Sequence, residues 1–112
     1  MTRAPSADDR AAAVFDALGD GTRRELFAAV GQAGSATATE LAADRPLSRQ
    51  AVLKHLHVLA AAGLVSSEKV GREQRYSVTP APLADAAGWM AQVGADWDRR
   101  LDRLRGQRPI SS

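Results

Sequence analysis

The sequence predicts a small, mainly α-helical domain that carries one β-hairpin. Apolar residues recur at helical spacing through most of the chain, and one stretch, residues 64–78, reads as two short strands around a glycine-containing turn. A chain of 112 residues is long enough for one small core. We therefore expect about five helices and two strands in a single domain over residues 8–105, between flexible tails at 1–7 and 106–112.

The composition excludes several classes of protein. The chain has no cysteine, which removes disulfides, thiolate metal ligands and cysteine nucleophiles together. No run of 18 apolar residues is present, so we expect no membrane-spanning helix. The N-terminus does not read as a secretion signal, and we expect a cytoplasmic protein.

The net charge of +2 is unevenly distributed along the chain. Residues 1–44 carry four bases and seven acids, and residues 79–112 carry five bases and four acids. The middle third, residues 45–78, carries six bases and only two acids. This distribution indicates a local anion-binding surface rather than a general polycation.

Two helices are predicted in the first third of the chain. Asp8 and Asp9 begin the first helix, because acidic residues favour the first turn, and the helix ends near Leu18. Thr22 is the expected N-cap of the second helix, and Gly34 ends it. Each helix presents one apolar face at helical spacing.

A short helix and a longer one follow, separated by a three-residue turn. Thr37 and Glu40 match a capping box for the short helix, which must end before Pro46. Ser48 caps the longer helix, which extends to about residue 62. Two helices joined in this way form a helix-turn-helix unit.

A hairpin follows the longer helix at once, which makes the unit a winged one. Gly63 ends the longer helix, and Gly71 supplies the positive φ of the hairpin turn. On the return strand Tyr76 is expected to point inward and Arg75 outward, because side chains alternate along a strand.

The last helix opens at Pro80 and Pro82, extends to about Arg105, and carries an apolar stripe at alternating spacings of four and three residues. A body this small cannot cover the stripe, so we expect a homodimer through the first and last helices, the alternative being that the stripe folds back on its own domain. Trp89 lies off the stripe and is expected to pack against the winged domain. The expected interface residues are Val14 on the first helix and Leu83, Ala87, Met90, Gly94, Trp97, Leu101 and Leu104 on the last.

The outer face of the longer helix carries cations and an amide near its N-terminal end, where recognition helices enter the major groove. Arginine pairs with guanine, glutamine with adenine, and a leucine fits a thymine methyl group. Helix 48–62 is therefore the expected recognition helix, and the hairpin 65–78 the expected contact with the minor groove or the backbone. The candidate DNA-binding residues are Ser48, Arg49, Gln50, Leu53, Lys54 and His57 on the helix, Arg72 and Arg75 on the hairpin, and Thr22 and Arg23 at the start of the second helix.

Three segments resemble the ArsR/SmtB family of bacterial winged-helix repressors: ALGDGTRRELFAAV (17–30), TATELAADRPLSRQAVLKHLHVLAAAGLV (37–65) and VGREQRYSVTP (70–80). The resemblance implies a homodimeric DNA-binding regulator, usually a repressor, that binds an imperfect palindrome near its own promoter. Metal-sensing members of the family use a Cys-x-Cys pair in the short helix, where this chain has residues 40–44 without a thiol, or histidines on the last helix, where it has none. We expect no metal site and no cofactor.

Two other functions are alternatives to a repressor. A winged-helix module for protein interaction or dimerisation, without DNA binding, should show aromatic anchors rather than a basic outer face. An enzyme would need a catalytic constellation, and the sequence offers no glycine-rich phosphate loop, no metal cluster and no histidine placed with a serine and an acid. Whether a small-molecule inducer binds stays an open question, since no group of polar residues in the sequence identifies one.

Overall fold

The computed structural model describes residues 6–105 as five helices and a small antiparallel sheet. The helices are α1 (Ala7–Leu18), α2 (Gly21–Ala33), α3 (Ala38–Ala43), α4 (Arg49–Ala61) and α5 (Ala81–Leu104), and the strands are β1 (Ala36–Thr37), β2 (Val65–Val70) and β3 (Glu73–Val78). The mainly helical, winged helix-turn-helix architecture is confirmed. Residues 1–5 and 106–112 of the expected tails lie outside the described residues.

The sheet has three strands in the order β1-β3-β2, where the sequence predicted only the hairpin β2–β3. In the additional strand, β1, Ala36 pairs with Tyr76 of β3 and Thr37 pairs with Arg75 of β3. A strand of two residues shows no alternation of apolar and polar residues, so its pattern could not reveal it. Its effect is to join the return strand of the wing to the start of α3.

The starts of α1 and α2 differ from the prediction in their caps. Ser6 caps α1, since its hydroxyl accepts a hydrogen bond from the Asp9 N–H (3.1 Å) and the Asp9 carboxylate accepts one from the Ser6 N–H (3.2 Å). The expected tail therefore ends earlier than residue 7. The N-cap of α2 is Asp20, whose carboxylate accepts from the Arg23 N–H at 3.1 Å, and Thr22, inside the first turn, is wrong as the cap.

The helix-turn-helix unit has the local signals that the sequence predicted. Thr37 and Glu40 form the reciprocal capping box of α3, and the Ser48 hydroxyl accepts from the Ala51 N–H at 3.0 Å to cap α4. The chain leaves α4 through Gly63, whose φ of 78° favours glycine.

A single apolar core joins all five helices to the sheet, and Ala86 is the buried residue that α5 contributes. Val52, Leu56 and Leu59 on the inner side of α4 are fully buried, as their spacing predicted. Val14 of α1 is also in this core, with 1% of its surface exposed. A side chain buried within its own protomer cannot reach a partner, so Val14 is wrong as an interface residue.

Helix α5 packs along α1 through one narrow line of contact. Ala86 is buried there, and the Trp89 indole N–H donates to an Asp8 carboxylate oxygen at 2.8 Å, while its ring lies 5.6 Å from that of Phe15. Trp89 thus packs on α1, as expected. The apolar stripe on the neighbouring side of α5 stays exposed, with Trp97 at 53% and Leu104 at 79%, so within the described residues it does not fold back on its own domain.

Leu59→Ala should lower the free energy of unfolding by about 2–5 kcal/mol, because it deletes a fully buried side chain from a close-packed core. Urea denaturation followed by circular dichroism measures the change. The adjacent variant Val58→Ala, at a position 40% exposed, is the matched control and should change the value much less. Equal losses at the two positions would contradict this packing of α4.

Candidate nucleic-acid interface

The outer side of α4 faces away from the core because the inner side is fully buried. Arg49, Gln50, Lys54 and His57 are exposed there, and Leu53 lies half-buried beside them. Within residues 6–105, Arg49, Lys54 and His57 form no ion pair and no side-chain hydrogen bond to the rest of the chain. The N-terminal half of α4 therefore presents unpaired cations together with an amide and an apolar side chain.

The wing ends in a two-residue turn formed by Gly71, at φ 64°, and Arg72. The Arg72 side chain is exposed and has no ion-pair partner in the part of the chain that the structure describes. Lys69, opposite Gln74 in the register, adds a second exposed cation close to the tip. Sequence reasoning did not single out Lys69, although its position two residues before the turn glycine was a usable signal.

A groove of about 320 Å³ lies between α3, the N-terminal half of α4 and the wing. Arg49 and Leu53 line it from α4, and Thr39 and Glu40 line it from α3. The wing contributes Arg72, Glu73 and Gln74. Helix α4 and the wing tip therefore form two sides of one concave surface, with Arg49 on one side, Arg72 on the other, and the carboxylates of Glu40 and Glu73 in the same lining.

Arg75 does not belong to the free cations of the wing, because its guanidinium is bonded to other side chains and only 24% of the Arg75 side chain is exposed. Its Nη1 donates to Glu73 at 2.9 Å, its Nη2 donates to Glu40 at 3.1 Å, and its Nε donates to the Ser35 hydroxyl at 3.0 Å. The Glu73 carboxylate, followed by Glu40, raises the pKa of the guanidinium above its ordinary value. Arg75 lies on the side of β3 that meets β1 and α3, a contact that strand alternation alone could not indicate.

Glu40 is held in its ionised form at this contact. The Thr37 N–H donates to its carboxylate, and this hydrogen bond, more than the nearby Arg75 charge, lowers the pKa of Glu40. One carboxylate therefore both caps α3 and pairs with the base of the wing.

The start of α2 does not form the phosphate site that Thr22 and Arg23 suggested. The Asp20 carboxylate already occupies this helix end, and the Arg23 N–H bond to it lowers the pKa of Asp20. The Arg23 guanidinium turns back to donate to the carbonyl oxygens of Ala17 (2.6 Å) and Asp16 (3.2 Å) at the end of α1. It joins two helices rather than facing outward.

A second concavity, of about 470 Å³, lies between α1, the end of α4 and the start of α5. Ala13, Ala62 and Pro82 form much of its lining, with Asp9 and Asp85 beside them.

Among residues 6–105, no three His, Asp or Glu side chains are grouped so that they could hold a metal ion. In the same range no helix has the length and apolar character needed to cross a membrane.

Comparison with known proteins shows what this architecture is similar to. A family model described as a helix-turn-helix domain matches residues 18–68. The HTH-type transcriptional regulator YuzN of Bacillus subtilis, itself uncharacterized, is 36% identical over 85 residues, which is 70% of this chain and 92% of that protein. The transcriptional repressor SdpR of the same organism is 31% identical over 77 residues, or 69% of this chain and 84% of SdpR.

The fold agrees with a solved structure of the same kind. An ArsR-like transcriptional regulator from Rhodococcus sp. RHA1 superimposes with a TM-score of 0.81 at 43% identity, over 91% of this chain and 95% of that one. The chain covers most of the length of these sequence relatives, and its topology matches that of the solved structure. Both findings indicate one family, whose members are regulators rather than enzymes. The chain belongs to the ArsR family of winged helix-turn-helix transcriptional regulators.

Proposed function

We propose that the protein is a homodimeric repressor that binds an imperfect palindrome in promoter DNA, possible targets including its own promoter. The observation that supports this most directly is the concave surface between α4 and the wing, where Arg49 and Arg72 have no ion-pair partner among residues 6–105. Cationic side chains that are not neutralised within the protein are suited to bind the phosphate groups of DNA. Because promoter DNA of bacteria lies in the cytoplasm, we place the protein there.

The chemistry of α4 suits direct reading of bases in the major groove. Arg49 can form two hydrogen bonds to a guanine, Gln50 can form two to an adenine, and Leu53 can contact a thymine methyl group. Lys54 and His57, further along the same face, suit phosphate contacts. The Ser48 hydroxyl is already used as the N-cap, so its contribution is to place the start of α4.

The wing suits contacts that do not depend on sequence. Arg72 at the tip and Lys69 beside it are exposed. An arginine at the end of a narrow hairpin can enter a minor groove or bind the backbone on its rim. We assign α4 to base recognition and the wing tip to affinity.

The exposed stripe of α5 supports the homodimer. Its largest members, Met90, Trp97, Leu101 and Leu104, lie on one side of the helix and would stay in water in a lone protomer. A second copy of the same helix offers a matching apolar surface, and a two-fold dimer would present two α4 helices to half-sites about one DNA turn, roughly 34 Å, apart.

The triple variant Arg49→Ala, Gln50→Ala, Lys54→Ala should lose specific DNA binding, because it removes the direct contacts of α4. Fluorescence anisotropy with a duplex selected by the wild-type protein from a random pool measures the affinity. Arg103→Ala, which removes an exposed cation of α5 without an ion pair in the described residues, is the matched control and should leave affinity unchanged. Unchanged binding by the triple variant would refute the assignment of α4.

Arg72→Ala should weaken binding to all DNA sequences alike and reduce the slope of log affinity against log salt by about one for each protomer. Arg49→Ala should instead cost about 1–3 kcal/mol at one base position and change the preferred base there. Titrations at several salt concentrations, on the selected duplex and on single-base variants of it, separate the two. A change of base preference on replacing Arg72, with none on replacing Arg49, would reverse the two roles.

The intact protein should have twice the 11.9 kDa mass of one chain in light scattering at micromolar concentration. Leu101→Asp should give a folded monomer, because it places a charge in the stripe without touching the core of the protomer. Asp98→Asn, on the same exposed half of α5, controls for a general effect of changing this helix. A monomeric wild-type protein would exclude the dimer.

A further inference from the structure

Arg75 lies at the centre of a cluster formed by Ser35, Glu40, Glu73 and Arg75, here called the wing-base cluster. All three guanidinium nitrogens donate within it, and Nη2 also donates to the Ser35 carbonyl oxygen at 3.3 Å. Only 24% of the Arg75 side chain is exposed. Few of its donors remain for any other partner.

The wing-base cluster is unsuited to bind a phosphate. It contains one guanidinium and two carboxylates, Glu40 and Glu73, so its net charge is negative. A phosphate approaching Arg75 would meet both carboxylates and would have to displace at least one of them. Arg72, three residues earlier, lines the same groove as these carboxylates but forms no ion pair with either of them in the described residues.

The cluster joins three elements that decide where the wing points. Arg75 belongs to β3, Ser35 directly precedes β1, and Glu40 belongs to the first turn of α3. Glu40 is fixed in place by the Thr37 N–H, and Thr37 in turn pairs with Arg75 in the sheet. The middle of the wing is thereby held against α3, the helix that packs on α4.

We propose that Arg75 is a positioning residue of the DNA-binding surface: through Glu40 it sets the wing at the angle at which Arg72 and α4 contact one duplex together. This inference rests on the proposed DNA-binding function. The competing role, a direct phosphate contact by Arg75, makes different demands on the side chain. A phosphate contact needs a positive charge, whereas positioning needs the three-way geometry of a guanidinium.

A double-mutant cycle distinguishes the two roles. If Arg75 positions the wing, Arg75→Gln already removes the contact of Arg72, and Arg72→Ala added to it should change DNA affinity by less than about twofold. The salt slope should then fall by about one for each protomer in Arg72→Ala, in Arg75→Gln and in the double variant alike. Two independent phosphate contacts would instead give additive losses and a fall of about two in the double variant.

Arg75→Lys provides the second test, since it keeps the charge and should fold. Positioning predicts that this variant binds DNA as weakly as Arg75→Gln, because an ammonium cannot donate along the directions of Nε, Nη1 and Nη2 together. Binding close to that of the wild type would overturn the proposal. Thermal unfolding of each variant, followed by circular dichroism, confirms that folded proteins are compared.

The outcomes separate this inference from the function on which it rests. Wild-type protein that fails to bind any selected duplex would refute the proposed function. Wild-type protein that binds with a steep salt dependence, together with an Arg75→Gln variant of unchanged affinity or with additive losses in the double variant, would refute only the positioning role. Salt-dependent binding with a non-additive cycle and a weak Arg75→Lys variant would support both.

Discussion

Burial of one side of α4 is the constraint on which the rest of the molecule depends. Val52, Leu56 and Leu59 are fully buried against the surrounding helices and sheet, and this fixes the rotation of α4 about its own axis. Because the rotation is fixed, the exposed residues Arg49, Gln50, Lys54 and His57 must face outward. The candidate interface therefore costs little packing, since the positions proposed to contact DNA are ones that the core does not use, apart from Leu53, which packs against the core. A rotation of α4 by a few tens of degrees would bury cations and expose leucines, and both changes are unfavourable.

Most of the fold could be predicted because its signals are local. Capping boxes join residues three apart, as in Thr37 and Glu40, and helical spacing identifies the buried side of α4 from a dozen residues. Strand β1 could not be predicted, for the opposite reason. It is two residues long, and its partner in β3 lies about 40 residues further along the chain, so nothing in its own neighbourhood distinguishes it. The cap of α2 was missed because Asp20 and Thr22 are both good N-cap residues and only the backbone angles decide between them.

The candidate site was harder to predict than the fold, because a sequence shows where cations are and not what they are bonded to. Arg72 and Arg75 look equivalent in the hairpin, yet one is unpaired within the described residues and the other donates to two carboxylates and a serine. Arg23 likewise turns back to the carbonyl oxygens that end α1. Each reassignment depends on a contact with another element, and the Arg75 contacts span 35 and 40 residues of sequence. Local patterning therefore locates a basic region, and tertiary contacts decide which of its members remain available.

The two ends of the protomer place different demands on a partner. At one end, α4 and the wing carry the charged side chains proposed to contact one rigid duplex together, so the angle between these two elements would matter as much as their charge. At the other end, α5 presents apolar side chains that gain by burial alone and tolerate small shifts. The angle between α4 and the wing therefore has to be fixed by a connection between the wing and the helix-turn-helix unit. The wing-base cluster is such a connection. Polar groups with three directional bonds suit that role better than apolar contacts, because hydrogen bonds fix an angle while dispersion contacts mainly fix a distance.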